Sequence, residues 1–287
     1  MTSVCRSHGI IFTKTRGVMS LGSLFDKIFE KNISGRIRNR FVQEGYKPIT
    51  YSEPKDIFIA GYPKSGNTWV QNLLTGMLLG SASSTIPPKL VSELIPDVHA
   101  KNYYKRIFNT MHFKTHDLPM YHHKRVIHLI RDPRDVYVSY YHFLNMSGVE
   151  EVSFEAMLNG GKGLYKSTWM EHTKSWNNNP HDAQILTVRY EDLLVDPLRQ
   201  MQNMAKFCDL ELTDDLLTDI YRQNTIDSLR KKVSDQGWDY GKQYGKNSIN
   251  FFRKGGSGNY KEELTKEQIQ LINDRTEAML KHYGYQF

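Results

Sequence analysis

Short apolar runs recur along this chain, each followed by a polar or glycine-containing stretch and then by a helical pattern. Residues 57–60 (IFIA) read as a buried strand, and 68–79 places Trp69, Leu73, Met77 and Leu78 at helical spacing. Residues 106–115 read as a second strand, ending in Phe113-Lys114-Thr115-His116 and stopped by Pro119. A third, 126–130, runs into a helix start, with Asp132 as N-cap and Pro133 at the first helical position. The fourth, 185–190, precedes helices starting near Pro197 and over 213–223. Near the C-terminus, Thr265 forms a capping box with Gln268 and opens a helix whose stripe is Ile269, Ile272, Thr276 and Met279. Strands alternating with helices predict a single α/β domain with a mostly parallel, helix-covered sheet.

Between these elements lie two irregular stretches. Prolines make 86–99 a poor core helix and a candidate pocket wall, and 231–250, with Trp238, Tyr240 and Tyr244, reads as a long functional loop. Ahead of the first strand, 21–41 carries Leu24, Phe25, Ile28 and Phe29 at helical spacing. The organisation expected is a basic N-terminal arm over 1–45 and one catalytic-size domain over 46–287.

Charge changes this picture less than its size suggests. The net charge is +7 over 287 residues, which favours anionic ligands, but Arg6, Lys14, Arg16, Lys27, Lys31, Arg36, Arg38, Arg40 and Lys47 crowd the N-terminal stretch. Cys5 and Cys208 are the two cysteines and form no metal-ligand spacing. No apolar run approaches the roughly 18 residues of a membrane span. A cytoplasmic protein is expected, with an organelle transit segment, or a start at Met19, as alternatives for the basic first residues.

The candidate chemistry sits where strands end. GYPKSGNTW (61–69) joins strand to helix through a glycine-bounded turn, which aims backbone N–H groups and a helix dipole at one anion. Gly61 and Gly66 have Walker A spacing, but Asn67 stands where that motif has lysine, and the lysine is Lys64, inside the loop. Lys114, His116 and Arg131 follow strand ends, where open α/β sheets bind ligands. Arg253-Lys254 lies in a glycine-rich segment suited to a second anion clamp. Local sequence leaves other readings open: a tight turn with a solvated lysine, a salt bridge from Arg131 to Asp132 or Asp135, a merely hydrogen-bonded His116.

Taken in order, GYPKSGNTW, RDPRDVYVSYYHF (131–143) and RKGGSG (253–258) resemble the motifs of the cytosolic-type sulfotransferases, with similarity over roughly 45–283. The resemblance implies 3′-phosphoadenosine 5′-phosphosulfate (PAPS) as co-substrate. Lys64, Ser65, Gly66, Asn67 and Thr68 would hold its 5′-phosphosulfate and Trp69 would stack on adenine. Arg131, Ser139, Arg253, Lys254 and Gly255 would bind the 3′-phosphate, with Tyr190 and Ile226 near the adenine. Catalysis would fall to His116 as base and to Lys64 and Lys114 at the leaving oxygen, with Ser139 also restraining Lys64 and no metal required. The acceptor is expected to be a small hydroxyl or amine compound. Its candidate contacts are residues 87–99, Tyr103, Tyr104, Phe108, His112, Met146, Phe154, Trp238 and Tyr240. Neither a nucleic-acid nor a membrane partner is expected.

Some positions depart from the family pattern. Asn67 replaces a frequent Thr, Ile226 stands where an aromatic is usual, Asn259-Tyr260 replaces Asp-Trp, and 261–270 keeps part of a dimer-forming segment. Monomer and homodimer both remain open. The alternatives to sulfuryl transfer are an ATP- and magnesium-dependent phosphotransferase of the P-loop class and a non-enzymatic nucleic-acid binder using the basic arm.

Overall fold

β1 (Ile57–Gly61) is buried along its whole length, as an apolar run with no polar face must be when both sides of a sheet are covered. The computed structural model describes residues 44–81, 86–147, 152–161, 164–236 and 253–287, and Lys47–Phe287 forms one compact unit. The helix expected over 21–41, together with Trp238, Tyr240 and Tyr244, lies outside the described residues.

From β1 the chain turns into α1 (Asn67–Leu79), which ends at Gly80 with φ 56°, and reaches α2 (Pro88–Leu94). Then come β2 (His112–Thr115) and β3 (Arg125–Ile130), and α3 (Pro133–Ser147) and α4 (Phe154–Gly160). α5 (Trp169–Asn178) leads to β4 (Gln184–Arg189) and α6 (Tyr190–Val195). After α7 (Pro197–Phe207), α8 (Asp214–Gln223) and α9 (Ile226–Gln236), the chain closes with α10 (Tyr260–Glu263) and α11 (Lys266–His282). These four strands form one sheet in the order β2-β1-β3-β4, every pairing within it parallel. Both faces are covered: Ile57 and Ile59 join one cluster with Leu73, Leu74 and Met77 of α1, while Phe58 and Ala60 join Phe113, Val126 and Trp176 on the other.

Three expectations need correction. The second strand is four residues, not ten, because the buried Asp56 carboxylate pins the preceding chain into a loop. It accepts two bonds from the Arg106 guanidinium, at 2.8 and 2.9 Å, and one from the Met111 amide. Residues 88–94 form a helix despite their prolines, since Pro88 occupies the first turn, where no amide donor is needed. Residues 231–236 belong to α9 rather than to a loop. Smaller shifts put Asn67 inside α1 and make Tyr190 the first residue of α6. The terminal helix keeps both halves of its Thr265/Gln268 capping box and buries Ile272, Thr276 and Met279.

Candidate active site

Register fixes where the chemistry collects. Ala60 lies beside Thr115, Gly61 beside Leu129, and Ile130 beside Arg189, so all four strands end along one edge. The chain leaves β1 for β2 on one side and afterwards occupies β3 on the other, which opens a crevice at the carboxyl end of β1. The residues after the strands are the 62–66 turn, His116, Arg131 and Tyr190.

The turn is shaped for close backbone approach. Gly66, with φ 100°, is the N-cap of α1, and a Cβ there would lie 2.8 Å from the Tyr190 ring. Lys64 has φ 73°, a left-handed conformation that a side chain adopts only under constraint. No side chain among the described residues caps α1, so its first amides face the crevice. The Ser65 hydroxyl is buried and has no hydrogen-bond partner among the described residues. Asn67 Nδ2 donates to the Tyr62 carbonyl at 3.0 Å, which uses one of its two protons.

Lys64 Nζ sits 4.5 Å from the centre of the Phe143 ring. Burial, then repulsion from Arg131 and Lys114, lowers its pKa to about 7. Like charges gathered this closely favour an occupant that is multiply negative.

Lys114 and His116 flank Thr115 at the end of β2. Lys114 Nζ pairs with the Asp97 carboxylate at 2.8 Å, both groups buried. His116 Nδ1 lies 2.7 Å from the Gly61 carbonyl oxygen. A carbonyl only accepts, so Nδ1 carries the proton and Nε2 keeps its lone pair. Burial and the Lys114 charge depress the imidazole pKa to about 3, so the ring is neutral at physiological pH. The following turn is held by Thr115 Oγ1, which accepts from the Asp117 amide, and by the Trp176 indole, which donates to the Asp117 carbonyl.

Across the crevice, the Arg131 guanidinium stacks on Tyr190 at 4.3 Å and donates to the carbonyls of Lys64 and Gly256. It makes no ion pair with Asp132 or Asp135 among the described residues. Asp132 instead pairs with Arg134, and Asp135 accepts from the amides of Gly258 and Tyr260, tying the glycine-rich segment to α3. The Arg131 Nε is buried and has no partner among the described residues. Tyr190 donates its hydroxyl proton to the Gly255 carbonyl, and Gly255 has no room for a side chain: a Cβ would fall 2.3 Å from Ile226. Arg253 and Lys254 are ion-paired, Arg253 with Glu263 at 2.6 Å and Lys254 with Glu262 at 2.9 Å and Glu263 at 3.1 Å. Sequence reasoning did not weigh that acidic pair, although its signal, two acids eight to ten positions after two bases, is plain in the chain.

A cavity of about 280 Å³ joins these groups. It is lined by Lys64, Gly66, Asn67, Thr68, Trp69, Lys114, His116, Arg131, Ser139, Tyr190, Ile226, Arg253, Lys254 and Gly255, so every anticipated site residue except the buried Ser65 reaches it. Trp69 is anchored by its indole, which donates to the Asn224 carbonyl at 2.8 Å. The acceptor side departs further from expectation. Of residues 87–99, Asp97 and His99 line the cavity, and they are joined by Tyr140, Phe143 and Tyr165, which sequence did not single out. Tyr104, His112 and Phe154 are buried away from it in the core, and Tyr103 and Phe108 do not line it. The Met146 side chain, like Trp238 and Tyr240, lies outside the described residues.

The sulfotransferase domain profile matches residues 54–284 of this chain. The chain belongs to the sulfotransferase family. Among curated relatives, this sulfotransferase is 28% identical to sulfotransferase 1B1 of Canis lupus familiaris over 254 residues, 78% of this chain and 82% of the relative. It is 25% identical to the amine sulfotransferase of Oryctolagus cuniculus over 255 residues, covering 81% and 83% of the two chains. Its fold matches retinol dehydratase in complex with retinol and PAP, with TM-score 0.61, 19% identity and coverage of 81% and 83%. It also matches a mouse sulfotransferase complexed with PAP, with TM-score 0.60, 18% identity and coverage of 81% and 89%. The resemblance to cytosolic-type sulfotransferases and the single parallel α/β fold are thereby met. Among the described residues of this sulfotransferase, no helix is long and apolar enough to cross a membrane, and no group of His, Cys, Asp or Glu is arranged to hold a metal ion.

Proposed function

We propose that the protein transfers a sulfuryl group from PAPS to the hydroxyl or amine of a small-molecule acceptor in the cytoplasm. The observation that carries this reading is the meeting of Lys64, Lys114, His116, Arg131, Arg253 and Lys254, drawn from four separate motifs, on one cavity at the amino end of α1. The Ser65 hydroxyl and Arg131 Nε, without partners among the described residues, are buried donors that suit phosphate oxygens.

In this reading the α1 amides, Lys64, Ser65 and Thr68 hold the 5′-phosphosulfate, Trp69, Tyr190 and Ile226 border the adenine, and Arg131, Ser139, Arg253, Lys254 and Gly255 hold the 3′-phosphate. The donor supplies the sulfuryl group, and adenosine 3′,5′-bisphosphate is what remains after in-line transfer. His116 Nε2 takes the acceptor's proton as the new bond forms, while the Nδ1–H bond to Gly61 keeps the ring in the tautomer that permits it. Lys64 and Lys114 offset the charge that develops on the leaving oxygen, in a setting where solvent screens little. Ser139, which lines the same cavity as Lys64, restrains that lysine before the acceptor arrives. No step in this scheme calls on a metal ion.

The P-loop phosphotransferase and nucleic-acid alternatives account for neither Lys64 within the loop nor the Lys114/His116 pair. The test is incubation with radiolabelled PAPS and a panel of phenols, alcohols, sugars and amines. Labelled product and stoichiometric bisphosphate, both lost in Lys64→Met, are expected. Absence of transfer across the panel, with magnesium-dependent transfer from ATP instead, would contradict the proposal.

A further inference from the structure

Asp97 meets Lys114 at the end of β2 through an isolated parallel bridge. The Lys114 amide donates to the Pro96 carbonyl at 2.9 Å, and the Val98 amide donates to the Lys114 carbonyl at 3.0 Å. That single bridge sets Asp97 beside Lys114, and the chain then turns, the Asp97 carbonyl accepting from the amides of Ala100 and Lys101, which brings His99 against His116. The Asp97 carboxylate takes Lys114 Nζ at 2.8 Å through one oxygen and the His99 amide at 2.9 Å through the other. His99 Nε2 accepts the His116 amide at 3.0 Å, and the two imidazole planes lie 11° apart with centres 5.6 Å apart. Because Nε2 accepts, a neutral His99 carries its proton on Nδ1, from which it donates to the Tyr165 hydroxyl at 3.1 Å.

We propose that Asp97 and His99 are positioning residues for the transfer pair, Asp97 aiming Lys114 and His99 fixing His116. The inference rests on the proposed sulfuryl transfer and assigns it two residues that act through Lys114 and His116. Its physical basis is the crowding of cations. Lys64, Lys114 and Arg131 share one cavity, and a lysine buried there without a counter-charge turns toward solvent or loses its proton. Asp97 gives Lys114 a counter-charge and a direction. His99 acts on the main chain: it secures the His116 amide while the Gly61 carbonyl secures the ring, so the base is fixed at two points. Against a purely structural role stands the division of contacts, in which each of the two side chains serves a different member of the pair.

The experiment is a double-mutant cycle read by kinetics with whichever panel acceptor the wild type turns over fastest. Asp97→Asn is expected to lower kcat by about tenfold or more with donor KM nearly unchanged, and to have little further effect when Lys114 is already Met. His99→Phe keeps the stacked ring and deletes the acceptor; it is expected to lower kcat several-fold, and His99→Gln, which restores an acceptor, is expected to recover most of it. Calorimetry with adenosine 3′,5′-bisphosphate accompanies every variant. Wild-type protein that binds no bisphosphate would overturn the proposed function; active wild type with additive effects of Asp97 and Lys114, or with His99→Gln no better than His99→Phe, would overturn the positioning role alone. The Asp97/Lys114 cycle read by thermal unfolding measures the pair without any substrate, and additivity there also counts against it.

Discussion

The His116 Nδ1 atom lies 2.7 Å from the Gly61 carbonyl oxygen, so the last residue of the first strand sets the tautomer of the histidine that follows the second. In His116→Ala no group replaces the Nε2 lone pair. Turnover should fall by roughly 10²–10⁴-fold, while bisphosphate affinity measured by calorimetry stays within about twofold, since the ring is no part of the phosphate-binding wall. Strong residual turnover would remove His116 from the role of base.

In the proposed function Arg131, stacked as a planar fork over Tyr190, is the residue that meets the 3′-phosphate. Arg131→Ala should weaken bisphosphate binding by roughly 10–100-fold, the loss of charge-assisted bonds in a shielded site. Arg131→Lys should restore little, because an ammonium neither stacks on the ring nor donates to the Lys64 and Gly256 carbonyls while facing a phosphate.

Lys64, with its pKa lowered to about 7 by burial and by Arg131 and Lys114, should take up a proton when an anion binds. Below pH 7 the lysine is already charged and there is no uptake. Above it, the free protein is increasingly neutral there while the complex holds the charge, so affinity declines as pH rises. Calorimetry at pH 8 in buffers of different ionisation enthalpy should report uptake approaching one proton, absent in Lys64→Met.

Glu263 occupies Arg253, Lys254 and His142. In the proposed function it would compete with a 3′-phosphate for Arg253 and Lys254. Glu263→Gln should therefore tighten bisphosphate binding by roughly threefold to tenfold at low salt, with the gain shrinking as ionic strength rises. Unchanged affinity would mean that the ion pairs persist in the complex.

Acid should unfold the protein early. Burial lowers the pKa of His112 and His172 to about 4 and of His123 to about 3, from an ordinary value of 6.5. A depressed histidine binds its proton more readily in the unfolded chain. Its penalty is nil above pH 6.5 and grows as pH falls toward the folded value, by about 1.4 kcal/mol per histidine per pH unit. Melting temperature should drop steeply from pH 6.5 to 5. In His123→Phe, which preserves the ring between Phe58 and Trp176, the slope should be shallower by close to one proton.

The sequence was most legible where chemistry is local. The turn at 61–66, the Pro133 helix start and the Thr265 capping box each depend on neighbours within a few residues, and they stand where the pattern puts them. The second strand reads too long because the Asp56–Arg106 pair, which holds residues 106–111 out of the sheet, spans fifty positions. Asn67 offers the same lesson: its amide bonds to Tyr62, a partner fixed only once the turn has closed. Likewise Asp97 and His99 belong to a proline-rich wall in the sequence, and only the bridge from Asp97 to Lys114 and the turn after it reveal which residues they serve. Tyr140, Phe143 and Tyr165 carry no local mark that separates a cavity-lining ring from a core ring.

The central claim is that this crevice binds the bisphosphate of a sulfuryl donor rather than a metal-bound triphosphate. It is tested most directly by calorimetric titration with adenosine 3′,5′-bisphosphate and with ATP, each with and without magnesium. Tight bisphosphate binding, indifferent to magnesium and lost in Arg131→Ala, is the predicted result. Preferential binding of ATP, dependent on magnesium and unaffected by that substitution, would contradict it.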